Sequence, residues 1–402
     1  MPRASRVRSL DGLRGLAAVS VVIGHVVLLF EGSSSSPAIS TAQAVIGTRD
    51  TPLYALWNGR GAVLVFFVLS GYVLTLPFTS DTTGFGWSYV VKRWMRIGAP
   101  YLVMAVVVLV SAIGLSRLPS QSTWPTIMFD RGPSLGDVVE WGTLIGLPSV
   151  TAFNSVVWTL AVELRLSMLL PFVIIAYRRF GVGVVLTATI VLAVAADAFT
   201  VSQPYGGAVA ASISVPSTLH FLPLFAAGSA LAMKKERIAA LPGLGSRTSL
   251  LCLLVGALAF YVYGHLWSPE VANGAEPTAL PLLVTDALVG LGAVLLVGVV
   301  AAGLGAKALA TRPLLALGHS SYSLYLWHLP VLVASSLLLA PEIGMMAAVA
   351  VGLVATAIIT WLSYKFVEAP VQRRIRTRRA SSGILDGADA GEARSELVSP
   401  SA

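Results

Sequence analysis

The amino-acid sequence predicts an all-α, polytopic integral membrane protein of about ten spans with both termini in the cytoplasm. Three observations carry that prediction. The 402-residue chain is 56% hydrophobic and only 11% charged, where a soluble chain carries roughly a quarter charged residues. Apolar runs of about 18 residues or more recur, each long enough to cross roughly 30 Å of hydrocarbon. Finally, the basic residues gather in every second loop. The runs are continuous rather than alternating, which argues against a β-barrel.

The predicted spans are 12–31, 60–78, 97–116, 155–176, 182–201, 217–233, 248–267, 280–303, 314–337 and 343–366. With the N-terminus inside, the cytoplasmic loops collect Arg3, Arg6 and Arg8, then Lys92, Arg93 and Arg96, then Arg178 and Arg179. Lys234, Lys235, Arg237, Arg247, Lys307, Arg312 and the run from Lys365 to Arg379 complete the set. The outer loops keep Arg49, Arg60, Arg117 and Arg131 and much of the acid. That asymmetry is the positive-inside pattern and supports an even number of spans. The segment 134–150 reads as interfacial. Residues 1–379 form one predicted membrane domain. Residues 380–402, which are Ser, Ala, Gly and acid without periodicity, are expected to be a disordered cytoplasmic tail.

Several function classes drop out. The net charge of +8 is spread over loops between spans, so it marks topology and not nucleic-acid binding. The single cysteine, Cys252, excludes an intrachain disulfide and a cysteine metal site. No phosphate-binding glycine loop is present. The N-terminus has the shape of a signal peptide but lacks a small-x-small cleavage site, so it is read as a retained first helix.

The first span, "SLDGLRGLAAVSVVIGHVVLLF", carries Arg14 and His25. Eleven residues make about three helical turns, so the two share one face, roughly 16 Å apart in rise. Asp11 lies one turn before Arg14 and can pair with it. Ionisable groups at such depth point to function, and neutral histidine is the usual general base near pH 7. A snorkelling anchor for Arg14 and an interhelical hydrogen bond for His25 are the structural alternatives. In "YVVKRWMRIGAPYL", Arg93 and Arg96 become neighbours if the helix starts early, and arginine suits phosphate. Plain topology signalling is the other reading. In "NSVVWTLAVELRLSMLLPF", Glu163 and Arg165 are two residues apart, so each needs a partner on another helix. Ser70 in the second span and the polar run "GHSSYSLYLWHLPV", with Tyr322 and His328, complete the constellation. In "SYKFVEAPVQRR", Glu368 reads as an ion-pair partner of Lys365 or the nearby arginines.

In this order, "LDGLRGLAAVSVVIGH", "FFVLSGY", "RWMRIGAPYL", "WTLAVELRLSMLLP", "SYSLYLWHLPV" and "SYKFVEAP" resemble the membrane-bound acyltransferase 3 family of bacterial O-acyltransferases. The resemblance runs from about residue 8 to 376. It implies transfer of an acyl group, usually acetyl, from cytoplasmic acyl-CoA to a hydroxyl of a glycan, lipid-linked sugar or secondary metabolite. It also implies a bacterial cytoplasmic membrane location. No tightly bound cofactor and no metal are expected, acyl-CoA being a co-substrate. The family's Arg-x10-His motif matches Arg14 and His25, and its Arg-x-x-Arg motif matches Arg93 and Arg96. Its Trp-Ser-Leu-x-x-Glu motif appears as Trp158, Thr159, Leu160 and Glu163. The usual Phe-Tyr after that glutamate is replaced by Leu166 and Ser167. Some relatives carry a fused esterase-like domain, which this chain is expected to lack.

The expected site therefore has His25 and Glu163 as catalytic groups, and Arg14, Arg93 and Arg96 as acyl-CoA contacts. Ser70, Trp158, Tyr322 and His328 are candidates to line a substrate pocket. Sequence leaves direct attack and an acyl-histidine intermediate both open. A transporter or flippase is the rival reading, because it too needs intramembrane His, Arg and Glu. A polymer ligase is a weaker rival, because no outer loop reaches 40 residues.

Overall fold

The computed structural model describes residues 3–31, 48, 51–79, 86–118, 126–143, 152–201, 215–239, 256, 279–303 and 305–375. Among them there are no strands and nine helices long and apolar enough to cross a membrane. These are α1 (Arg3–Glu31), α2 (Gly59–Thr75), α3 (Trp87–Leu115), α4 (Val157–Phe180) and α5 (Val182–Val201). They continue with α6 (Val215–Met233), α7 (Ala279–Ala302), α8 (Arg312–Ile343) and α9 (Met345–Ser363). Hydrocarbon offers no hydrogen-bond partner, so each apolar run must satisfy its own backbone, and a helix does so. The predicted span 248–267 lies outside the described residues except for Gly256, which is helical and faces Gly292. The predicted tail also lies outside them.

Local chemistry sets the ends. Asn58 caps α2 by accepting from the Gly61 N–H at 2.8 Å. Gly181 (φ 84°) and Gly344 (φ 80°) make the tight reversals after α4 and α8, in a backbone region that side chains avoid. Beyond Ser363 the last helix widens into a π-turn, Tyr364–Glu368, and then continues to Ile375.

The third predicted span begins at 97, but α3 begins ten residues earlier, at Trp87. A hydropathy reading stops at Lys92, Arg93 and Arg96, whereas a helix beyond the hydrocarbon edge tolerates charge. The two arginines therefore stand one turn apart on a continuous helix.

Packing is closest where glycines meet backbone. α2 lies along α6, and α1 along α8. A Cβ on Gly71 would fall 2.0 Å from the Phe225 carbonyl oxygen, and one on Gly228 would fall 2.0 Å from that of Val68. A Cβ on Gly12 or Gly318 would meet the carbonyl oxygens of Leu309 and Asp11 just as closely. Small residues of this kind let membrane helices touch backbone to backbone. The outward faces are apolar and bare, for example Val106, Val110, Phe172 and Val354. Hydrophobic side chains left open on the long helices other than α2 belong in lipid, so the protein is a multi-pass membrane protein.

Part of the predicted interfacial segment is a short helix, Leu135–Thr143. Ser134 caps it, accepting from the Asp137 N–H at 3.2 Å while Asp137 accepts from the Ser134 N–H at 2.7 Å. Arg131 grips both Asp137 oxygens, at 2.6 and 2.8 Å. Those Arg131 hydrogen bonds, with Ser134, hold the carboxyl well below the usual carboxylate range despite its burial.

Candidate active site

A cavity of about 160 Å³ lies among α1, α2, α3, α4, α8 and the end of α9. Its charged lining comes from Asp11, Arg14, Arg93, Arg96, Glu163 and Glu368. Three cations thus face three carboxylates, a balance that lowers the cost of placing them in a helical bundle.

The pairings are specific. Arg93, 7% exposed, donates from Nη2 to Glu163 Oε1 at 2.6 Å and from Nε to Ser167 Oγ at 2.9 Å. Ser70 Oγ adds a second donor to the same Glu163 oxygen, at 3.0 Å. The partners that Glu163 and Arg165 require do come from other helices, since Arg165 donates to Thr218 at 3.2 Å. Leu166 and Ser167 replace the family's Phe-Tyr, and the Ser167 hydroxyl is what receives Arg93. Tyr89 holds the same turn by donating to the Ser167 carbonyl at 2.8 Å. Arg93 therefore has one N–H committed to Glu163 and another to Ser167, one turn further along α4. Arg14 and Arg96 line the cavity without an ion pair or hydrogen bond of their own among the described residues. Two such guanidinium groups can receive an anionic oxygen cluster such as a phosphate.

Glu368 is the residue that local sequence misreads. Its Oε2 accepts from Ser323 at 2.6 Å and its Oε1 from Gln372 at 2.9 Å. Lys365, the expected partner, lies instead over the Trp361 and Phe366 rings, 4.6 and 5.1 Å from their centroids. Asp11 likewise faces His319 Nε2, at 4.0 Å, and not Arg14.

The remaining candidates divide. Tyr322 lines the cavity and donates to the Ile97 carbonyl at 2.6 Å. Ser70 reaches the cavity through Glu163. Trp158 stands behind Phe67 and beside Phe221, with ring centroids 6.5 and 5.5 Å away. Tyr325 and Thr159, joined by a 2.9 Å hydrogen bond, both line the cavity. His25 is not in the lining. It lies against His328, with ring centroids 4.9 Å apart, and His328 lies 5.8 Å from Tyr325.

A second ionic group went unread in the sequence. Arg60 on α2 donates from Nε to Asp286 on α7 at 2.7 Å and makes a second contact to the other oxygen. His220 on α6 bridges Asp286 (2.9 Å) and Asp197 on α5 (2.8 Å). The signal was available: three ionisable residues in apolar spans each require a partner. The group ties four helices together outside the cavity.

Fold and site define a multi-pass helical membrane protein with an arginine- and carboxylate-lined cavity and, near it, a histidine pair of which His328 is buried and His25 half-buried. The family model described as an acyltransferase domain, of the acyltransferase 3 type, matches residues 7–365, and the chain belongs to that family. It is 26% identical over 388 residues to the putative peptidoglycan O-acetyltransferase YrhL of Bacillus subtilis, covering 91% of this chain and 55% of that protein. It is 23% identical over 394 residues to the peptidoglycan O-acetyltransferase OatA of Listeria monocytogenes, covering 91% and 56%. A 70-residue stretch, 17% of this chain and 11% of the relative, is 37% identical to the O-acetyltransferase OatA of Staphylococcus aureus. The chain thus spans only about half the length of the relatives it matches from end to end. No solved structure matches.

Proposed function

We propose that this protein is an O-acetyltransferase of a bacterial cytoplasmic membrane, moving an acetyl group from acetyl-CoA to a hydroxyl of a cell-envelope carbohydrate. One observation carries the reading: Tyr325, which lines the arginine-bearing cavity, has its ring 5.8 Å from that of His328, which in turn lies against His25. The loop charges put Arg14, Arg96 and Glu368 at the cytoplasmic end, where acyl-CoA is found. Arg14 and Arg96 hold its phosphates, and Arg93 fixes Glu163. The names of the full-length relatives favour a peptidoglycan-type acceptor.

In the proposed step, His25 takes the proton of the acceptor hydroxyl as its oxygen attacks the thioester carbonyl. The C–O bond forms, the C–S bond breaks, and the departing CoA sulfur receives the proton back from His25. A thioester needs little more than this base and a polar cradle for the oxyanion.

The test is turnover of radiolabelled acetyl-CoA by purified protein with a muropeptide or lipid-linked sugar acceptor. The wild type should transfer label, and His25→Ala should lower the rate by about 10²–10⁴-fold, the usual size of general-base catalysis. Full transfer by His25→Ala would remove the base assignment. Failure to bind acetyl-CoA at all would favour a transporter.

A further inference from the structure

We infer that His328 is a positioning residue for His25, holding the imidazole in the orientation that general-base catalysis requires. The inference rests on the proposed role of His25 and deepens it.

The proton positions follow from carbonyl groups, which only accept. His25 Nδ1 lies 2.8 Å from the Val21 carbonyl oxygen, so Nδ1 carries the proton. His328 Nδ1 lies 2.9 Å from the Tyr325 carbonyl and 3.1 Å from that of Leu324, so it too carries its proton on Nδ1. His328 Nε2 faces His25 Nδ1 at 3.3 Å. Two N–H groups cannot point at each other, so His328 Nε2 presents a lone pair and is a second, longer acceptor for the Nδ1–H that His25 donates to Val21. His25 Nε2 is then its basic nitrogen.

Three independent contacts agree on one assignment. His328 is fully buried, at 0% exposure, and its ring stands at 65° to that of His25. It is anchored by its own helix, α8, while His25 rides on α1. These two helices pack along each other, with backbone contact at Gly318. His328 thus transmits the α1–α8 register to the base. When His25 gains a proton its Nδ1–H becomes a stronger donor, and the waiting acceptor at His328 strengthens that bond. A histidine whose second nitrogen is oriented by an acceptor is the arrangement general bases commonly use.

The test uses the full chain in detergent or nanodiscs. His328→Leu removes the second acceptor and leaves the Val21 carbonyl in place. His328→Gln can place an amide oxygen near the Nε2 position, and His328→Asn can occupy only the Nδ1 position. Acetyl-CoA affinity, KM and kcat are measured for each, with His25→Ala in parallel. His328→Leu should lower kcat at least tenfold while donor KM stays within about twofold. His328→Gln should recover several-fold more turnover than His328→Asn. If His328→Leu fails to fold, the Gln–Asn comparison decides. Equal turnover of the Gln and Asn variants, or full kcat in the Leu variant, overturns the inference. If His25→Ala stays active, the base reading itself is what has failed.

Discussion

Adding one methyl group at Gly71 tests the backbone contact on which the cavity wall depends. The new Cβ would sit 2.0 Å from the Phe225 carbonyl oxygen and 2.9 Å from its carbon, against about 3.4 Å for ordinary contact. Relief requires α2 and α6 to part by roughly 1.4 Å (3.4 − 2.0). No flexible side chain can absorb that shift, because the obstacle is main chain. Overpacking of this kind costs about 1–3 kcal/mol, and at roughly 2 °C per kcal/mol the melting temperature should fall by about 2–6 °C. Function should suffer more than stability. α2 carries Val63, Phe66 and Phe67 in the cavity wall and Ser70 on Glu163. A misplacement near 1 Å at such groups costs on the order of 10²-fold in rate. The assay is thermal unfolding by tryptophan fluorescence in detergent, beside acetyl-CoA turnover. Gly114→Ala is the control, since a Cβ there meets nothing within 4 Å. It should be neutral or stabilising by up to about 1 kcal/mol. A Gly71→Ala protein that melts with the wild type and turns over at full rate would refute the reasoning.

Glu163→Gln keeps the shape but removes the charge that Arg93 and Ser70 address. A charged hydrogen bond of this kind is worth about 1.5–3 kcal/mol, so both melting temperature and turnover should drop, and an unchanged melting temperature counts against the pairing. Asp137→Asn should lower the melting temperature at pH 7, because the Arg131 pair and the Ser134 cap lose their acceptor charge. Folding lowers the Asp137 carboxyl, so its contribution is complete above about pH 4 and is lost as pH falls; the gap between variant and wild type should narrow from pH 4 downward, and a constant gap would speak against it.

The spans were legible because hydrocarbon demands contiguous apolar residues, and the Arg14–His25 stripe was legible because helical phase is fixed. The need of Glu163 for a partner was equally plain, but the identity of Arg93 and Ser70 as those partners was not. Helix crossings decide such pairs, and backbone contacts at Gly71, Gly228 and Gly318 set those crossings over distances the chain order does not encode. The same reason hid the Arg60–Asp286 contact, 226 residues apart in sequence. His328 looked like a pocket residue beside Tyr322 because both lie in one polar run. Six residues on, it stands behind the wall that Tyr322 lines. Glu368 was assigned to Lys365 or the nearby arginines by proximity; Lys365 lies over aromatic rings instead, and Glu368 accepts from Ser323 and Gln372.

That change of pitch, the turn Tyr364–Glu368, has a consequence of its own. A π-turn holds one residue more than the regular helix it interrupts, and its wider pitch absorbs that surplus and so sets where Glu368 and Gln372 point. Deleting any one residue of the turn would let the helix close into an ordinary spiral with better hydrogen bonds. The same five residues wound at the regular pitch would instead swing the downstream side chains by about 100° and carry the carboxylate away from Ser323. At this point the chain keeps an irregularity that the helix alone would discard. The pitch of this one turn aims an acid into the cavity.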